Sequence, residues 1–162
     1  GEAMTTRPPI PDPPYTGGCL CGAVRYRVNA RPLTMTACHC DVCKKLSGAT
    51  NLLVITVPKD SFQHLEGDVQ RYRRTAESGR QSDVVRCAGC GTRLWHEPLA
   101  FPVMTVAAGT LDDTGWVVPS SEIWTERASP AAIFHDDAQK FEGQPERQAQ
   151  LDAFKTLYGE LP

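Results

Sequence analysis

"ACHCDVCKKLSGA", residues 37–49, places three cysteines within six positions: Cys38, Cys40 and Cys43. Thiols this close together serve in disulfides, in a closed structural metal site, or in an open metal site that carries chemistry. The chain has seven cysteines, an odd number, and its first residues lack the apolar segment of a secretory signal. Outside an oxidising compartment such cysteines bind metal more often than they form disulfides, so we favour the two metal interpretations.

Length and composition fit one globular domain with a hydrophobic core. The chain has 162 residues, of which 41% are hydrophobic and 22% are charged. No apolar run approaches the ~20 residues that a membrane helix requires. The net charge of −2 and the pI of about 6.1 provide no global attraction to nucleic acid or to an anionic membrane. We therefore expect a cytoplasmic protein without nucleic-acid or membrane partners, and the sequence leaves open whether it forms a homodimer.

The N-terminal segment is rich in proline. Residues 1–3 precede Met4 and are interpreted as an expression scar. Proline interrupts both helices and strands, so the sequence predicts a disordered arm over residues 1–14 and a single zinc-binding domain over residues 15–162. The prolines of this arm are Pro8, Pro9, Pro11, Pro13 and Pro14.

Alternating and β-branched apolar patterns predict short strands over most of the domain. The segment AVRYRV at residues 23–28 alternates apolar and basic side chains, and NLLVITV at residues 51–57 is a nearly continuous apolar run that Pro58 ends. The segments DVVRC, TRLWH, VMTVAAGTL and SEIWTE follow the same pattern. Gly67-Asp68 lies between two further strand patterns and predicts a hairpin turn.

Two helices are also predicted. A short helix follows Cys40, with Asp41 as its expected N-terminal cap. A C-terminal helix lies between Pro145 and Gly159, with an apolar face. The predicted fold class is therefore mainly β, with short antiparallel sheets stapled by metal and minor helices.

The seven cysteines divide into a set of four and a set of three. A C-x-C pair and a late C-x-x-C pair together provide four thiolates, which is a complete tetrahedral zinc site. The central C-H-C-x-x-C is then self-contained and provides three, which leaves one zinc position open. The alternative joins the central motif to one further cysteine and leaves the others without a metal. The set of four is Cys19, Cys21, Cys87 and Cys90.

An open zinc held by three thiolates favours the capture of another thiol. Its net charge of −1 weakens the activation of water, and its soft ligands favour a soft fourth ligand, which zinc would hold as thiolate. Nearby cations would offset the added negative charge or meet the carboxylates of a peptide thiol. We select Lys44 as the thiol-binding residue because it follows Cys43 directly. Further candidate cations are Lys45, Arg25, Arg86 and Arg93.

The four histidines are not assigned as ligands. His39 lies between two cysteines whose side chains converge, so its own side chain is expected to point away from the metal and to serve as a wall or hydrogen-bonding residue. His64, His96 and His135 have no partner that the sequence identifies, and we interpret them as surface or structural residues.

The cysteine motifs resemble the glutathione-dependent formaldehyde-activating enzyme family. "GGCLCGAVRY", "CHCDVCKKLSGA", "CAGCGTRLW" and "GTLDD" occur in the family's order and cover residues 16–135 approximately. This resemblance implies a β-tent type fold, a structural zinc at the four-cysteine set and a catalytic zinc at Cys38, Cys40 and Cys43. It also implies carbon–sulfur lyase chemistry in which glutathione and formaldehyde give S-hydroxymethylglutathione. The family often carries histidine where Glu122 stands.

The sequence also allows three other functions. A zinc- and thiol-binding module without turnover would keep the three-cysteine site but would not need a pocket for an electrophile. An interaction module stapled by zinc is disfavoured for nucleic acid because the chain has no dense basic stripe. A redox role would require the unmetallated trio to form a disulfide and leave one reactive thiol.

Overall fold

The computed structural model describes residues 7–162, and these residues form two β-sheets and two α-helices, which confirms the mainly β fold class. Stapling by zinc remains a prediction. Three short 3-10 turns occupy Lys59–Ser61, Ala108–Thr110 and Thr125–Arg127. The helices are α1 (Asp41–Ser47) and α2 (Arg147–Tyr158). The strands are β1 (Tyr15–Gly18), β2 (Arg25–Val28), β3 (Thr34–Cys38), β4 (Leu52–Pro58), β5 (Phe62–Glu66), β6 (Val69–Thr75), β7 (Gln81–Cys87), β8 (Arg93–Pro98), β9 (Val103–Ala107), β10 (Ser121–Ile123) and β11 (Gln139–Lys140).

The smaller sheet has the order β1-β2-β5 and the larger has the order β11-β10-β3-β4-β9-β8-β7-β6. Most neighbours are antiparallel, and β10 is parallel to both β3 and β11. Within residues 7–162, no helix has the length and apolar character needed to cross a bilayer.

The hydrophobic core lies between the two sheets. Strand pairing aligns one row of side chains across the larger sheet, and each of them is almost completely buried. From the smaller sheet, the rings of Tyr26 and Phe62 lie 6.0 Å and 4.8 Å from the ring of Trp95. Burial of each such large apolar side chain contributes about 1.5–3 kcal/mol, so this contact holds the sheets together. The row is Met35, Ile55, Val106, Trp95 and Val85.

The opposite face of the larger sheet carries the next row of side chains. Because side chains alternate along a strand, residues one position away from the core row point to this second face. Cys38 and Leu52 are paired on it. This row runs through Thr34, Thr56, Thr105, His96, Val84 and Tyr72.

The predicted hairpin at Gly67-Asp68 is wrong. β5 pairs with β2 in the smaller sheet, whereas β6 pairs with β7 in the larger one, so the chain crosses between sheets at this point. Gly67 has φ +94°, and a Cβ atom there would lie 2.3 Å from the backbone oxygen of Ala23. Glycine is therefore required because the chain crosses between the two sheets here and passes close to the backbone of Ala23, not because it forms a hairpin turn.

Both predicted helices are present, but the cap of the first is different. Asp41 is the first helical residue of α1, and the cap is Cys40, whose Sγ accepts a hydrogen bond from the backbone N–H of Cys43 at 3.3 Å. The thiol takes the role that a hydroxyl or carboxylate usually has at this position. α2 begins after Pro145, is followed by Gly159, and buries Phe154 against the core, as predicted.

The N-terminal segment lies against the domain from residue 7 onward. Arg7 is buried, and its guanidinium donates to both carboxylate oxygens of Asp137 at 2.8 Å and 2.7 Å and to the backbone oxygen of Pro119 at 2.6 Å. Tyr15 donates a hydrogen bond to the backbone oxygen of Pro11 at 2.7 Å. The expected scar at residues 1–3 lies outside the described residues, and the domain boundary at residue 15 remains a prediction.

Candidate metal centres and the adjoining cavity

The structure groups the cysteines as the sequence predicts. Within residues 7–162, four cysteine sulfurs form one cluster and three form another, and the sulfurs of each cluster lie within 4.8 Å of one another. All seven are free thiols. Each cluster therefore has the donor atoms and the spacing to hold a metal ion. The first cluster is Cys19, Cys21, Cys87 and Cys90, and the second is Cys38, Cys40 and Cys43.

The four-cysteine cluster joins the two sheets. Cys19 and Cys21 follow β1 of the smaller sheet, whereas Cys87 ends β7 of the larger one. The Sγ atom of Cys21 lies 3.5 Å from that of Cys19 and 3.8 Å from that of Cys87. Zinc–sulfur bonds of about 2.3 Å in a tetrahedron separate sulfurs by about 3.8 Å, so these distances fit zinc.

Backbone amides also face the sulfurs of this cluster. The N–H groups of Gly89 and Cys90 donate to the Sγ of Cys87 at 3.3 Å and 3.4 Å, as the tight C-x-x-C turn allows. Hydrogen bonds from the side chain and backbone of Thr92 lower the pKa of Cys90 to about 5. Both effects favour the thiolate forms that a metal ion binds.

The three-cysteine cluster lies where β3 meets α1. Cys38 is the last residue of β3, Cys40 caps α1, and Cys43 lies in its first turn. Hydrogen bonds from Cys38 and Cys43 lower the pKa of Cys40 to about 2. The contact between Cys38 and Cys40 raises the pKa of Cys38 to about 12, and contacts with Cys38 and Cys40 raise the pKa of Cys43. The trio therefore accommodates one negative charge by itself, and a bound cation would be needed to ionise all three. Three soft donors of this kind fit Zn²⁺.

His39 belongs to neither cluster. Its side chain is fully buried, and its Nε2 forms a 2.9 Å hydrogen bond with Oε1 of Glu122, while its ring packs nearly perpendicular to the ring of Phe134. The other carboxylate oxygen of Glu122 accepts a 2.6 Å hydrogen bond from the backbone N–H of His135. The pair therefore ties the Cys38–Cys40 segment to β10 and the loop beyond it, which agrees with a hydrogen-bonding role for His39.

A cavity of about 190 Å³ adjoins the three-cysteine cluster on the second face of the larger sheet. Cys38 and Cys43 form part of its wall, α2 contributes Gln150, and β8 contributes His96. The apolar part of the wall is Leu52, Val54 and Ile123, and the remaining lining residues are Thr36, Thr56 and Thr105.

His96 is the site residue that sequence reasoning missed. Its Nε2 is buried and has no hydrogen-bond partner in the described chain. Burial, with the positive charges of Arg93 and Arg74, lowers the pKa of His96 to about 4, so its imidazole is neutral at physiological pH. The signal was the alternation in TRLWH: if Trp95 faces the core, His96 faces the opposite side of the sheet. The sequence alone does not show that this opposite side also carries Cys38, because that depends on the strand order.

The candidate cations differ in whether they are already engaged. The Nζ of Lys44 donates to the backbone oxygen of Arg127 at 2.6 Å and pairs with Asp41 at 3.1 Å. Its role in thiol binding remains a prediction. Arg93, in contrast, has buried Nε and Nη1 atoms without a hydrogen-bond partner among residues 7–162, and its charge interacts with the Cys43 sulfur. Arg86 donates to Gln70 at 2.8 Å, and Arg25 pairs with Asp112.

Comparison with known families shows to which family the chain belongs. The sequence model of the glutathione-dependent formaldehyde-activating enzyme family matches residues 14–127, which include both cysteine clusters. The chain belongs to this family. Among curated proteins, it is similar to an uncharacterized lyase of Schizosaccharomyces pombe, with 26% identity over 83 residues, and the match spans 51% of this chain and 57% of that relative.

A solved structure gives a further comparison. The fold is similar to that of a Rhodobacter sphaeroides protein known from a crystal structure, with a TM-score of 0.49 and 20% sequence identity over 60% of this chain and 87% of the other. The match of the family model to residues 14–127 confirms the resemblance found in the sequence motifs at the level of the family, whose name refers to glutathione and formaldehyde. The curated relative of this chain is called a lyase.

Proposed function

We propose that this protein is a zinc-dependent carbon–sulfur lyase that captures a thiol at the cluster of Cys38, Cys40 and Cys43 and adds it to a small aldehyde. The default thiol is glutathione, and with formaldehyde the product is S-hydroxymethylglutathione. The observation that carries this proposal is the position of the three-cysteine cluster at the wall of a cavity. A cluster with three donors beside a cavity has both a free ligand position and space for a substrate.

The chain's own residues define what such a site can do. Cys38, Cys40 and Cys43 would hold one zinc ion, and the four-cysteine cluster would hold a second. When bound, the first ion supplies a positive charge that favours the thiolate form of an incoming thiol. The aliphatic side chains of the cavity wall would displace water from one side of a bound substrate, which strengthens electrostatic interactions there. Since clustered cysteines bind metal most often in a reducing compartment, we propose that the reaction takes place in the cytoplasm.

Arg93 is the basic residue best placed to recognise the substrate thiol. Its guanidinium interacts electrostatically with Cys43 and retains two buried donors without a partner in the described chain. Glutathione carries two carboxylates, and a guanidinium binds a carboxylate through paired hydrogen bonds. A carboxylate of the bound peptide would thus satisfy donors that are otherwise costly to bury.

Calorimetric titration of glutathione into reduced, zinc-loaded protein tests the binding step. We expect saturable binding that Cys43→Ser abolishes. Arg93→Gln should weaken binding about 10- to 100-fold, since a hydrogen bond to a charged group is worth about 1.5–3 kcal/mol. Arg86→Gln is the matched control, because that arginine is exposed and already engaged with Gln70, and its effect should stay below about twofold.

Exchange NMR with glutathione and formaldehyde then tests turnover. Zinc-loaded protein should accelerate exchange between free glutathione and its hydroxymethyl adduct, and Cys43→Ser should not. Binding of glutathione without faster exchange would mean that the protein is a zinc- and thiol-binding module and not an enzyme. Failure of glutathione to bind a protein that carries two zinc ions would reject glutathione as the thiol.

A further inference from the structure

The cavity beside the three-cysteine cluster is larger than formaldehyde requires. Its volume is about 190 Å³, and an apolar protein cavity of about 150 Å³ is sufficient to hold benzene. Leu52, Val54 and Ile123 line it with aliphatic side chains. A molecule with two heavy atoms would leave most of this apolar wall without contacts, whereas one with about six to eight would fill it.

The cavity wall also includes one polar group that lacks a partner. His96 lies on β8 and pairs across the sheet with Thr105, another wall residue. Its Nε2 atom is buried without a hydrogen-bond partner in the described chain. A buried polar atom without a partner is unfavourable, and in the tautomer that carries the proton on Nε2 a ligand oxygen in the cavity would satisfy it.

We propose that the electrophile of this protein is a carbonyl compound with an apolar substituent of about four to seven carbons, whose substituent fills the cavity and whose oxygen accepts a hydrogen bond from His96. The inference rests on the proposed function, because the thiol must be held at the neighbouring cysteine cluster. It specifies the class of aldehyde: pentanal or benzaldehyde rather than formaldehyde.

The reaction needs no further reactant. The sulfur lone pair of the thiolate forms the carbon–sulfur bond to the carbonyl carbon, and the π pair of the C=O bond moves to oxygen. The oxygen then takes a proton equivalent to the one that the thiol lost, which gives a hemithioacetal, and the lyase direction reverses each step. With its proton on Nε2, neutral His96 would donate to the oxygen as negative charge develops on it, which is the effect of an oxyanion-hole donor.

Aldehyde selectivity provides the first test. Exchange NMR on the zinc-loaded full chain, with glutathione and formaldehyde, pentanal or benzaldehyde, should give a kcat/KM for benzaldehyde at least about tenfold above that for formaldehyde. Val54→Phe fills the cavity and should lower kcat/KM for benzaldehyde more than kcat/KM for formaldehyde, so that this preference is lost. Val54→Met provides the same test with a more adaptable side chain if the phenylalanine variant does not fold.

The role of His96 is tested separately. His96→Phe should lower kcat for benzaldehyde about 10²-fold without changing the Kd of glutathione, and His96→Gln should restore part of the loss because it keeps a donor. His135→Phe is the matched control, since that histidine is exposed and lies outside the cavity lining. Equal rates in the His96→Phe and wild-type proteins would overturn the assignment of His96.

A binding measurement separates failure of this inference from failure of the proposed function. 4-Fluorobenzyl alcohol, an unreactive probe, should show a saturable fluorine NMR shift without any thiol, and Val54→Phe should abolish it. Exchange with formaldehyde alone, with no shift of the probe, would overturn the inference and leave the proposed function intact. Exchange with none of the aldehydes would overturn the proposed function and the inference with it.

Discussion

Replacement of Glu122 by alanine should destabilise the protein by about 3–5 kcal/mol. The carboxylate is 2% exposed and makes two hydrogen bonds, one with His39 Nε2 at 2.9 Å and one from the His135 backbone N–H at 2.6 Å. A hydrogen bond to a charged group is worth about 1.5–3 kcal/mol, and alanine leaves both partners without an acceptor. Glu122→Gln keeps the shape but has only one acceptor oxygen, so we expect a smaller loss of about 1–3 kcal/mol.

Urea unfolding of the metal-free protein measures these losses, and zinc retention against a chelator measures their effect on the site. Since Glu122 holds the residue between Cys38 and Cys40, its removal should weaken metal binding at the three-cysteine cluster about 10- to 100-fold and leave the other cluster unchanged. The control is Asp112→Ala, which removes an exposed ion pair with Arg25 and should cost less than about 1 kcal/mol. A Glu122→Ala protein within about 1 kcal/mol of wild type, with equal retention of both metals, would refute this reasoning.

Three further perturbations follow from the fold. Arg7→Ala removes the paired contact with Asp137, and we expect urea unfolding to show a loss of about 2–4 kcal/mol; a loss below about 0.5 kcal/mol would mean that this segment does not contribute to stability. His96 has a folded pKa near 4, lowered by burial, against about 6.5 unfolded, so the unfolded chain binds more protons between these values. Stability should therefore fall as pH drops below about 6.5, by about 2 kcal/mol near pH 5, and His96→Gln should remove this part of the dependence; equal slopes in both proteins would contradict it. Gly67→Ala should destabilise the protein by more than about 3 kcal/mol, because the new Cβ would overlap a backbone oxygen. Gly79→Ala, at φ +85° with open space around it, should destabilise it by about 1 kcal/mol. Equal midpoints in thermal melts of the two variants would contradict this expectation.

Local patterns predicted those parts of the molecule whose physical cause is local. The alternation in residues 23–28 is preserved in β2, and α2 occupies the helical segment between Pro145 and Gly159. The grouping of the cysteines could be predicted because each motif brings its sulfurs together within a few residues and because four donors complete one zinc site. Nothing beyond neighbouring residues and a count of ligands was required.

Features that depend on strand order could not be predicted from the same patterns. The Gly67-Asp68 turn signal does not specify that β5 and β6 belong to different sheets. The positions of His96 and Glu122 follow from the pairings β8 with β9 and β10 with β3, which are contacts between residues far apart in sequence. Sequence patterns place a side chain on one face of its own strand, but they do not identify the neighbouring strand.

The two cysteine clusters contain the same donor atom, so the different chemistry that we propose for them must come from their positions. The four-cysteine cluster connects β1 and β7 across the two sheets and supplies a complete set of ligands, which is what a structural site requires. The three-cysteine cluster lies at the start of α1, where Cys40 both belongs to the cluster and caps the helix. A displacement of that sulfur would disturb the helix that places Cys43 against the cavity wall. The helix therefore holds the sulfur positions in place while the cavity leaves one side of the cluster accessible, and this combination of a fixed donor set with adjacent space is what a thiol-exchanging metal site needs.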